Sequence, residues 1–142
     1  GALLAGLPAA RRADEAVVVM GHGAPPPGAG FYASLATALA RRDALMHFGT
    51  MPREKGAPCP DIGRIRDALL TSGTRTAWLS PFFTVAGAHA CCDLAGDAPG
   101  SWRGVLEASG IRCRPLLAGL IEHPPLAAIW RDHLHTALSR LS

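Results

Sequence analysis

Residues 15–20, Glu-Ala-Val-Val-Val-Met, form an apolar run rich in β-branched side chains that halts at Gly21-His22-Gly23. No polar residue alternates through its interior, so neither face of such a strand suits water. It reads as a strand of a parallel sheet, buried on both sides and ending in a tight turn. A strand of that kind needs helices above and below it.

The rest of the chain supplies helices and strands in alternation. Phe31 to Arg42 sets Phe31, Leu35, Ala38 and Leu39 on one side and is expected to be helical. Ala44 to Phe48 follows as a second strand, and Gly49 to Pro60, rich in proline, as a loop. Asp61 can cap a helix that carries Ile62, Ile65, Leu69 and Leu70 and ends near Gly73. Thr76 to Val85 begins as a third strand, with Pro81 marking its end or an irregularity, because proline cannot serve a central ladder. Gly87 to Gly100 reads as a long loop. Ser101 can cap a helix with Trp102, Val105 and Leu106, closed by Gly110. Ile111 to Leu117 is the fourth strand and Pro125 to Leu141 the last helix. This alternation predicts an α/β fold, a four-stranded parallel sheet with helices on both faces.

Composition agrees with one folded domain. The 142 residues are 49% hydrophobic and 18% charged, which excludes a disordered chain. With a net charge of +3 and scattered basic residues, nothing forms a nucleic-acid footprint, although a small anionic ligand stays open. No apolar run approaches the ~20 residues of a membrane helix. Gly1 to Ala10 superficially resembles a signal-peptide core, but its arginine pair follows the apolar stretch, and the segment reads as a helix tail. Cys59, Cys91, Cys92 and Cys113 show no CxxC spacing and are expected to be thiols in a reducing, cytoplasmic setting.

In open parallel sheets ligands bind beyond the carboxyl ends of the strands. His22 lies just past the first strand and His89 just past the third, so the two imidazoles share one crevice if those strands are neighbours. Two histidines with a carboxylate form an open site for divalent Co, Ni, Fe or Zn. The plainer alternative for His22 is a turn histidine bonded to local backbone, with its flanking glycines allowing close approach of a ligand. His47, within the second strand, and His133 and His135, on the last helix, are assigned to packing or solvent.

Several stretches, in order and in register over roughly residues 16–138, resemble the C-terminal half of the sirohydrochlorin cobaltochelatase family of anaerobic cobalamin synthesis. They are Val18-Val-Met-Gly-His-Gly-Ala24, Leu79-Ser-Pro-Phe-Phe-Thr-Val-Ala-Gly-Ala-His-Ala90, Asp93-Leu-Ala-Gly-Asp97, Ser101-Trp102 and Gly119-Leu-Ile-Glu-His-Pro124. The resemblance implies a chelatase-like three-layer fold, a cleft for the macrocycle, and His22 and His89 as metal-site and catalytic histidines. Where the family has an acidic residue after the second strand, Glu54 is the carboxylate present, within the apparently lengthened Met51 to Pro60.

Departures from the family pattern are Pro26 and Pro27 after the Gly-His-Gly turn, Ala88 before the second histidine, and Cys92 before Asp93. A full member also carries a preceding half of similar fold, so residues 1–15 are expected to be a linker or the end of such a half, and 16–142 the chelatase-like domain. The implied activity is insertion of Co²⁺, with Fe²⁺ or Ni²⁺ as alternatives, into sirohydrochlorin. His89 would serve chiefly as ligand, His22 as ligand and proton acceptor, and Glu54 as third partner. Arg53, Lys55 and Arg103 are candidate contacts to the macrocycle's carboxylate rim, although such residues are more often solvated surface charges. A homodimer or a missing N-terminal half would complete the cleft. The rival readings are a non-catalytic metal- or tetrapyrrole-binding paralogue, a truncated fragment, or a domain of purely structural role.

Overall fold

The computed structural model describes residues 7–25, 27–51 and 59–141. Four strands are present: β1 (Ala16–Gly21), β2 (Met46–Thr50), β3 (Thr76–Pro81) and β4 (Arg112–Pro115). They form one sheet in the order β2-β1-β3-β4, and every pairing is parallel. All six residues of β1 are buried, as its unbroken apolar run requires. In register, Val19 of β1 lies beside Phe48 of β2 and Ser80 of β3.

The two faces of the sheet carry separate cores. Val17, Val19, Phe48 and Trp78 pack with Leu39 of helix α1 (Ala29–Arg42) on one face. Val18, Met20, Ala77 and Leu79 pack on the other against Ile65 and Leu69 of α2 (Ile62–Thr71) and against Trp102 and Leu106 of α3 (Trp102–Glu107). This is the predicted arrangement of a parallel sheet between helices, and the period-two division of β1 between the faces follows from strand geometry.

Local signals placed several boundaries well. Asp61 accepts a hydrogen bond from the Arg64 amide and Ser101 from the Gly104 amide, so both predicted N-caps are present. β3 does stop at Pro81, where its missing N–H costs the ladder least. Others moved. The second strand runs two residues later than expected, over Met46–Thr50, because Asp43 and Leu45 form the turn ahead of it, with the Leu45 amide donating to the Asp43 carboxylate. The third and fourth strands are shorter than expected. The stretch expected to be a long loop, Gly87–Gly100, contains instead a π-helical turn over His89–Leu94, anchored by the buried Ala90 and Leu94.

The last helix, α4 (Pro124–Ser139), touches chiefly a 3-10 turn at Leu120–Glu122 and has no buried residue. Ile129, Trp130, Leu134 and Leu138 are all exposed along it. Ahead of β1, the Arg11 guanidinium pairs with Asp43 at 2.6 Å and Leu7 packs on the α1 face, so residues 7–15 follow the domain surface.

Candidate metal site at the strand ends

The chain leaves β1 to form β2 on one side and later returns to form β3 on the other, so the strand order reverses between β1 and β3. Such a switch point opens a crevice beyond the carboxyl ends of the two strands. His22 immediately follows β1, and His89 opens the π-helical turn beyond β3. Their rings meet edge to face, with centroids 4.7 Å apart and planes at 87°. The condition on which the sequence reading depended, that the first and third strands be neighbours, is therefore met.

Phe83 joins the two histidines in a cluster of three rings. Phe83, at the end of the β3 chain segment, lies 4.5 Å from His22 and 6.1 Å from His89 between ring centroids. Its own ring is buried. The backbone at this point is clamped: the Phe82 amide donates to the Met20 carbonyl, and the Phe83 and Thr84 carbonyls accept from the amides of Leu120 and Ile121. His89 also bonds through Nδ1 to the Asp93 carboxylate at 2.6 Å, one turn along.

The glycines around His22 serve packing and turn geometry, a different reason from the close ligand approach that sequence suggested. A Cβ at Gly21 would lie 2.8 Å from the Phe48 ring and 2.9 Å from Tyr32. Gly23 has φ +77°, a left-handed conformation that glycine adopts without steric cost. His22 lies between them, immediately past the carboxyl end of β1.

Glu54, Arg53 and Lys55 lie outside the described residues. Among the described residues no group of three His, Cys, Asp or Glu side chains is arranged to hold an ion. Arg103 is engaged on its own side of the domain, its guanidinium bonded to Asp97 at 3.0 Å and to Glu107 at 3.1 Å. Those pairings direct it along α3 as a surface charge.

His47 is a half-buried strand residue whose Nε2 is buried without a hydrogen-bond partner, and burial pulls its pKa below the ordinary value. His133 and His135 are exposed on α4. All four cysteines are free thiols, Cys91 and Cys92 exposed and Cys59 buried.

Sequence reasoning gave Asp93 and Phe83 no part in the site. A His-x-x-x-Asp spacing puts both residues on one side of a helical turn, but that signal is visible only if residues 89–94 are taken as helical. Phe83 offered no signal apart from its place one residue after a strand-end phenylalanine.

The fold is a doubly covered parallel α/β unit with two histidines in contact at the switch point of its sheet. The chain belongs to the cobalt chelatase (CbiK) family, whose model matches residues 2–139. It is 44% identical over 140 residues to the sirohydrochlorin cobaltochelatase CbiKC of Nitratidesulfovibrio vulgaris, an alignment that covers 99% of this chain and 48% of that protein. It is 37% identical over 130 residues to the sirohydrochlorin cobaltochelatase of Salmonella typhimurium, covering 90% of this chain and 47% of the relative. The chain thus spans about half the length of the curated relatives it matches.

Proposed function

We propose that this domain inserts Co²⁺ into sirohydrochlorin, with His22 and His89 as the protein ligands that present the ion to the macrocycle. The observation that carries the reading is the 4.7 Å meeting of the two rings at the switch point of the sheet. A centroid spacing of this size is compatible with metal–nitrogen bonds of about 2 Å from both imidazoles to one ion. Membership of the cobalt chelatase family and the cobaltochelatase activity of both relatives support the metal and the substrate. Fe²⁺ and Ni²⁺ are competing ions, since imidazole accepts each of them.

Insertion needs an ion held by ligands that leave one at a time, and a base for the two pyrrole N–H protons. A neutral imidazole does both at physiological pH. In this scheme His89 holds the ion from the π-helical turn. His22, just past β1, binds the ion until pyrrole nitrogens replace it and then accepts the two pyrrole protons in turn, passing the first to solvent before taking the second. Glu54 is the third partner proposed from the sequence. Phe83 forms an apolar floor beneath the rings and excludes water from one side of the ion.

The cleft is completed by a second α/β unit, which we take to be another copy of this chain in a homodimer or, alternatively, the half that the longer relatives possess. The exposed apolar side chains of α4 support such pairing, because apolar patches of this kind mark contact surfaces. No described helix is long and apolar enough to cross a membrane. Together with four free thiols this favours a reaction in the cytoplasm.

The test is Co²⁺ insertion followed through the absorbance of sirohydrochlorin, run on the 142-residue chain after its mass in solution has been determined by sedimentation. Insertion that disappears in His89→Ala, with Co²⁺ affinity at least tenfold lower, supports the reading. Unchanged Co²⁺ affinity in His89→Ala refutes it. Metal binding without insertion favours the rival reading of a binding domain that lacks half of its cleft.

A further inference from the structure

We propose that Asp93 is the positioning residue of this site: its carboxylate holds the Nδ1 proton of His89 and thereby presents the Nε2 lone pair to the ion. The inference rests on the metal-site reading above and adds the identity of the ligating nitrogen. A carboxylate has no proton to give, so the ring nitrogen 2.6 Å from Asp93 Oδ2 is the one that carries hydrogen. In a neutral imidazole the other nitrogen is then the acceptor, and Nε2 is left with its lone pair. Hydrogen bonds of this kind from a carboxylate fix both the tautomer and the ring orientation of a metal-binding histidine and raise its basicity.

The backbone explains why Asp93 is in place. Residues 89–94 wind as a π-helical turn, closed by the Ala95 amide donating to the Ala90 carbonyl. Ala90 and Leu94 are fully buried in the core on the α2 and α3 face, which leaves His89 and Asp93 together on the outward side. Gly96 tightens the exit, since a Cβ there would lie 2.3 Å from the Cys92 carbonyl oxygen. The His89 ring also meets the His22 ring edge to face. The imidazole is thus contacted both by a proton acceptor and by the second proposed ligand. Single π turns inside a fold are recurrently found at functional sites, where the extra residue re-aims a side chain.

The tautomer can be read without any variant. Long-range ¹H–¹⁵N correlation spectra of the metal-free protein above pH 8 are expected to show neutral His89 protonated on Nδ1. In Asp93→Ala the proton should move to Nε2, and Co²⁺ affinity should fall tenfold to a hundredfold. Asp93→Asn, which keeps an acceptor oxygen but no charge, should recover part of that loss. A wild-type His89 protonated on Nε2 overturns the proposal. So does an Asp93→Ala affinity within twofold of wild type while His89→Ala loses binding. If His89→Ala itself binds Co²⁺ normally, the metal-site reading has failed, and this inference falls with it.

Discussion

His22 and His89 touch edge to face at 4.7 Å although each sits in a different strand–helix unit of the chain. Neither residue is placed by the other's neighbourhood in sequence. The contact exists because β1 and β3 are adjacent, and Phe83 lies against both rings.

The two histidines are predicted to separate in their effects. His22→Ala should lower the insertion rate about a hundredfold or more, the usual contribution of a positioned base. Its Co²⁺ affinity should fall less than that of His89→Ala, whose ring is additionally held by Asp93. Single-turnover insertion alongside equilibrium Co²⁺ titration separates the two quantities. Equal affinity losses in both variants, with an unchanged rate per bound ion, would show that His22 acts as a ligand alone.

Gly119 is predicted to control the site from a distance. A Cβ at this position would lie 2.5 Å from the Thr84 carbonyl oxygen and 2.5 Å from Val85 Cα. Backbone cannot yield as a flexible side chain would, so Gly119→Ala must push the Leu120–Glu122 turn away from residues 83–85. Overpacking of this kind costs roughly 1–3 kcal/mol. The amide–carbonyl bonds from Leu120 and Ile121 to Phe83 and Thr84 would be strained as well. The expected result is a lower melting temperature together with weakened Co²⁺ binding, since Phe83 moves with its backbone. Unaltered stability would show that the two segments part without cost.

His47 is predicted to set part of the acid sensitivity. Burial is the larger influence and lowers its pKa, with the nearby Asp43 opposing. The folded state therefore binds fewer protons on this group than the unfolded chain does. The corresponding stability is fully present above the unfolded value of about 6.5 and is lost as the pH falls from there through the lower folded value. His47→Leu should remove that component and relieve the buried, unpartnered Nε2. Thermal melts at pH 8 and pH 5 are expected to show a fall of several degrees in the wild type that is smaller in the variant. An identical fall in both proteins would assign the acid sensitivity to groups other than His47.

Much of this molecule was determined by its sequence alone. The apolar run at 16–20 can be satisfied only between two layers, and Asp61, Ser101 and Pro81 mark element ends through local hydrogen bonding or its absence. Both strand-end histidines were legible for the same reason: a glycine-flanked turn and a strand terminus are local features. The tertiary structure decided what depends on residues far apart in the chain. Strand order, a property of how the layers pack, brought His22 to His89 and slid Phe83 beneath them. The π-helical turn was hidden because its anchors, Ala90 and Leu94, are a single i, i+4 pair in a segment too short to display a helical period. What holds it is burial against α2 and α3, and that same burial turns Asp93 toward His89.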